Sequence, residues 1–150
     1  MYPITATVYH EKYAGFFRAD PFLHISTFGG SEIGCFAALE VLRISRRKQF
    51  LDRVNRMEDF FTRQFTALSK KYPSAVLRPR GLGLMMGLEF KNEGTALLVM
   101  KMLFDKGVYL VYSGNDSKVL QFMPPLIITV AQGGEIVRCL ESVMKALEER

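Results

Sequence analysis

The sequence predicts an α+β fold, a small sheet covered on one side by helices. Three observations carry this. From Lys48 to Tyr72, apolar residues recur at a helical period with one buried stripe. After Tyr72 come short β-rich runs punctuated by Gly and Pro. Helical patterns then separate and succeed those runs, and no internal repeat or low-complexity tail is visible.

Taken in order, Tyr2 to His10 is rich in β-formers and reads as a strand. Glu11 to Phe22 reads as a polar and aromatic loop or short helix, punctuated by Gly15 and Pro21. Ser26, Thr27, Gly29 and Gly30 form a hydroxyl-bearing, glycine-paired loop, and Ser31 is placed to cap a helix beginning at Glu32. A helix start carries unpaired N–H groups and the positive end of the macrodipole, so such a loop suits an anion, above all a phosphate. Most Gly-Gly loops before a helix are only turns, and the pattern alone does not choose between the two. Glu32 to Arg46 is helical and apolar almost all round, so it needs partners on several sides.

Lys48 to Tyr72 is a helix ended by Pro73, with Phe50, Val54, Met57, Phe61, Phe65, Leu68 and Tyr72 as its stripe. The aromatics read as core, not as a ligand box. Ala75 to Leu77 reads as a short strand, interrupted by Arg78-Pro79-Arg80-Gly81 and resumed from Leu82 to Phe90. Its glycines resemble a nucleotide loop, but no helix starts after Gly87. Glycine inside a strand pattern more often marks a bulge or close backbone packing. Thr95 to Lys106 is a helix closed by Gly107 as a left-handed cap. Val108 to Tyr112 and Val119 to Met123 are strands joined by a loop from Ser113 to Lys118, and Pro124-Pro125 stops the second. Thr129 with Gln132 is a capping box for a last helix with stripe Ile136, Leu140, Val143 and Leu147. Gly133 and Gly134 should weaken its first turn.

The 150 residues are one domain by size, or a piece of a larger one. No apolar run is long enough to span a bilayer, and the opening residues lack a signal-peptide pattern. The net charge of +5 invites a nucleic-acid reading. The basic residues, among them Arg43, Arg46, Arg47, Arg53 and Arg56, alternate with acids along a helix, which is the pattern of a solvated face. No nucleic-acid motif accompanies them, so no nucleic-acid partner is expected. Cys35 and Cys139 read as buried thiols in a reducing, cytoplasmic compartment, and no metal site is expected.

The run His24-Ile25-Ser26-Thr27-Phe28-Gly29-Gly30-Ser31, continued by Cys35-Phe36-Ala37-Ala38-Leu39-Glu40-Val41-Leu42, resembles the interdomain segment of the class III aminotransferases. Ser31-Glu32 stands where that family more often has Asn-Pro. Arg80 to Glu89 resembles the family's R-G-x-G-L-M-x-G-L-E strand, and Val119 to Leu126 its V-x-R-x-x-P-P-L segment. The resemblance spans nearly the whole chain. It implies the C-terminal small domain of a fold-type I transferase dependent on pyridoxal 5'-phosphate. Residues 1–46 would be a remnant of the large cofactor domain with its connector helix, and residues 47–150 the small domain.

By the same resemblance, Ser26 and Thr27 are expected to bind the phosphate of pyridoxal 5'-phosphate, Thr27 across a homodimer interface. The lysine that holds the cofactor as a Schiff base would precede Met1, so no catalytic residue lies in this chain and it should not transaminate alone. The substrates would be an amine or amino acid and a 2-oxo acid. Association is expected through residues before Arg46, with Phe16, Phe17, Phe22, Phe28 and Phe36 in an exposed patch. Gln121 stands in the substrate pocket where the family's arginine clamps an α-carboxylate. An amide cannot neutralise a carboxylate. Either another residue supplies the charge, or the amino donor lacks an α-carboxylate, as a diamine would. A stand-alone, non-catalytic α+β module and an aminomutase fragment are the alternative readings.

Overall fold

A computed structural model describes residues 3–20, 22–73 and 76–149. The chain forms two compact units, Met1–Phe50 and Leu51–Arg150.

In the first unit, the strand expected from Tyr2 to His10 is not formed: residues 3–10 have no regular structure, and Tyr2 lies outside the described residues. β-propensity alone does not make a strand, because the ladder bonds need a neighbour. No described strand pairs with this run. A 3₁₀ turn at Glu11–Tyr13 comes next, with the His10 ring nitrogen accepting from the Lys12 amide at 3.2 Å. It leads into α1, Ala14–Ala19. Tyr9 stacks on Phe17 with ring centroids 4.7 Å apart, so Phe17 is half-buried, unlike its expected place in an exposed patch. Phe16, Phe22, Phe28 and Phe36 are exposed as expected.

Helix α2 spans Glu32–Ser45. Ser31 occupies its N-cap position, but its side chain makes no capping bond. Ile33, Phe36, Leu39, Val41 and Leu42 are all more than half exposed. Cys35 is exposed as well, and Cys139 is partly buried, which corrects the expectation of two buried thiols. The thiol shares the fate of its helix, in which Gly34 is buried, Ala37 and Ala38 are half-buried and the large apolar side chains lie open.

In the second unit, helix α3 runs Lys48–Lys71 and turns Met57, Phe61, Phe65 and Leu68 inward. The sheet is four-stranded, wholly antiparallel and ordered β1-β2-β4-β3. Its strands are β1 Val76–Leu82, β2 Met85–Phe90, β3 Val111–Ser113 and β4 Asp116–Phe122. Three expectations change here. Ala75 lies outside the described residues, and the strand from Val76 is not interrupted at Arg78-Pro79-Arg80-Gly81. Pro79 pairs with Leu88 on an edge strand, where proline's missing N–H costs no ladder bond to a second neighbour. The turn falls instead at Gly83-Leu84, with Gly83 at φ 58°. The second hairpin is also tighter than expected, closing at Gly114-Asn115, so β3 is shorter and β4 begins earlier.

Helix α4, Glu93–Phe104, starts at Asn92, whose side chain accepts from the Thr95 amide at 2.9 Å. Gly107 past its end has φ 79°, the left-handed stop that the sequence indicates. Helix α5, Val130–Glu148, carries the Thr129/Gln132 capping box. Its Gly133 has a packing reason. A Cβ there would lie 3.0 Å from ring atoms of both Phe60 and Phe61. Helices α3, α4 and α5 thus bury one sheet face, with Leu88, Phe90, Leu120 and Phe122 against Phe61, Phe65, Val99 and Val143.

The other sheet face carries charge. Glu89 is 7% exposed. It accepts from Arg78 Nε at 3.0 Å and lies 3.2 Å from Lys118 Nζ and 3.7 Å from an Arg80 nitrogen. The Arg78 hydrogen bond, then that from Lys118, hold its carboxyl below the ordinary range. A folded-state pKa below the unfolded one gives stability that is present at neutral pH and lost on acidification. Glu89→Gln should therefore flatten the fall in melting temperature below about pH 4.3. An acid limb identical in both proteins would show that the cluster adds nothing.

Candidate functional site

Ser26 and Thr27 lie in the first unit, on the loop before α2, and both are exposed. The loop is folded by its own backbone. The Gly29 amide donates to the Ser26 carbonyl and the Ser31 amide to the Phe28 carbonyl, each at 3.2 Å. Gly30 has φ 74°, a conformation that suits glycine. A Cβ on Gly29 would stand 3.1 Å from the Ser26 Cβ, so the turn is tight around that serine. The result presents two adjacent hydroxyl side chains to solvent ahead of a 14-residue helix. A cleft of about 260 Å³ in the same unit is lined by Thr7, Tyr9, Phe17, Asp20 and His24, without either hydroxyl residue.

Gln121 lies in the second unit, half-buried on β4. Register aligns it with Gly87 on β2 and Val111 on β3, and Gly87 in turn with Arg80 on β1. Directly paired residues share a face, so this row lies opposite the Leu120 and Phe122 core. Gly87 is a site of close packing in this row, with no room for a side chain. The space a Cβ would occupy there is approached by Val119 Cγ1 to 2.9 Å and by the Arg80 stem to 3.8 Å. Arg80 has the charge that Gln121 lacks, but its guanidinium is engaged by Asp116 at 3.2 Å. A cavity of about 250 Å³ adjoins the end of β4, between residues 107–110 and 122–125, and Gln121 is not in its lining.

One polar residue here escapes a reading of the sequence. Arg53, on α3, donates to the carbonyls of Ile127 and Ile128, at 3.1 Å for the latter. Its place among alternating charges gives no signal of this, because the partners are backbone atoms 74 and 75 residues away. Among the described residues no group of three His, Cys, Asp or Glu side chains is arranged to hold a metal ion, and no helix is long and apolar enough to cross a membrane.

Residues 2–144 match the sequence profile of the family described as aminotransferase class-III. An uncharacterized aminotransferase of Archaeoglobus fulgidus is 35% identical over all 150 residues, which cover 35% of that protein. A putrescine aminotransferase of Pectobacterium atrosepticum is 30% identical over 145 residues, 97% of this chain and 31% of its own. Among solved structures, a lysine aminotransferase from M. tuberculosis superposes with a TM-score of 0.74 at 21% identity, over 86% of this chain and 29% of that one. An ornithine aminotransferase from Toxoplasma gondii gives 0.72 at 26% identity, over 87% and 31%. The chain spans about a third of the length of the curated relatives it matches. The fold is that of the C-terminal part of fold-type I aminotransferases, a family that uses pyridoxal phosphate. This chain belongs to the class III aminotransferases.

Proposed function

We propose that these residues form the C-terminal part of an aminotransferase that moves an amino group between an amine or amino acid and a 2-oxo acid. The observation that carries this is the family match over residues 2–144. When bound, pyridoxal phosphate supplies the electron sink for the reaction. Two neighbouring hydroxyls exposed on a tight turn fit its phosphate, since each donates to an anionic oxygen while the backbone bonds of the turn keep them in place. Ser26 and Thr27 take that role here, with Thr27 serving the cofactor of a partner subunit in a homodimer. None of the lysines in these residues stands in the cofactor-lysine motif, so the segment by itself does not transaminate. Two cysteines in 150 residues are too few for a disulfide framework, which supports a cytoplasmic setting.

A hydrogen bond to a charged group contributes about 1.5–3 kcal/mol. Thr27→Ala in the complete polypeptide should therefore weaken cofactor retention by about 10- to 100-fold, read from cofactor absorbance after dialysis. Unchanged retention would remove Thr27 from the site.

Gln121 forms part of the substrate wall. With no guanidinium at that position, a donor without an α-carboxylate loses nothing, whereas an amino-acid donor needs a charge from elsewhere. Gln121→Arg should raise kcat/KM for an ornithine-like donor relative to a putrescine-like one by about tenfold or more. A wild-type enzyme that strongly prefers ornithine would instead place the carboxylate-binding charge on another residue.

A further inference from the structure

The six residues between β4 and the α5 cap, Met123 to Ile128, form neither helix nor strand. Two sets of hydrogen bonds help to order them. The Ile128 amide closes a turn onto the Pro125 carbonyl at 2.9 Å. The guanidinium of Arg53 then bonds the Ile127 and Ile128 carbonyls from outside the loop. A single guanidinium nitrogen, Nη2, carries both bonds, its two N–H groups donating to two successive carbonyls. Met123, Leu126 and Ile127 are exposed while Ile128 is buried in the core, so apolar packing anchors only the far end of the segment.

We propose that Arg53 is a positioning residue. By clamping the Ile127 and Ile128 carbonyls it fixes the segment that leaves Gln121 and its substrate wall, and so sets the apparent affinity for the amino donor. This rests on Gln121 forming part of that wall. Helix α3 supplies a rigid base, since Met57 and Phe61, one and two turns further along, are fully packed. Movement of the clamp would be passed to the wall through Pro124-Pro125, whose fixed φ angles leave little slack.

The test uses the complete polypeptide with Arg53→Gln, Arg53→Lys and Gln121→Ala. Arg53→Gln should raise the donor KM about tenfold with kcat changed less than about twofold, and Arg53→Lys should recover part of that loss. In the same protein, hydrogen exchange at the Ile128 amide should speed up about tenfold or more, while Leu140 in the middle of α5 keeps its wild-type rate. Unchanged exchange at Ile128, or equal acceleration at both amides, would overturn the proposal, the second because it signals general destabilisation. If Gln121→Ala raises the donor KM and Arg53→Gln does not, the positioning role alone fails. If Gln121→Ala leaves KM unchanged, the reading of the wall fails with it.

Discussion

Phe61→Ala is expected to lower the unfolding free energy of the second unit by about 3–5 kcal/mol. Phe61 has no exposed surface, and its ring lies 4.7 Å from Phe122, 5.2 Å from Phe60 and 5.5 Å from Phe65, centroid to centroid. It is where α3, β4 and the start of α5 meet. Truncation removes the ring's transfer free energy and leaves a cavity walled by side chains that hold one another in place. The walls cannot close cheaply, because Gly133 already sets the α5 backbone against the Phe60 and Phe61 rings. A domain's whole stability is about 5–15 kcal/mol, so the variant should melt far earlier or fail to fold. Urea denaturation would measure the change. A loss below about 1 kcal/mol would mean that the aromatic cluster repacks freely.

Gly81→Ala should be comparably severe for a different reason. Gly81 has φ 155°, in a region that side-chain-bearing residues rarely enter. A Cβ there would stand 2.4 Å from the Met85 carbonyl oxygen and 2.7 Å from the Met86 Cα, both backbone atoms that cannot rotate aside. Strain of about 1–3 kcal/mol adds to about 1–3 kcal/mol of overpacking, for a loss of about 2–6 kcal/mol. The damage should be local to the β1–β2 hairpin. Amide exchange should then rise there before it rises in α5, and a melting temperature equal to wild type would refute the expectation.

The two substitutions mark the boundary between what the chain states openly and what it does not. The sequence by itself determined the α3 stripe, the Thr129/Gln132 capping box, the left-handed stop at Gly107, the α+β class and the family. Each of these rests on local chemistry or on a motif, and local chemistry is complete within a few residues. Tertiary structure decided the rest. It made one hairpin of Val76 to Phe90, because proline is harmless on an edge that only the sheet order defines. It left the β-rich run at 3–10 without a ladder, since a strand exists only through its neighbour. It exposed Cys35, turned Glu89 into the centre of an ion cluster, and drew Arg53 from an apparently solvated helix face onto two distant carbonyls. These outcomes depend on groups far apart in the chain, and no local window contains both partners.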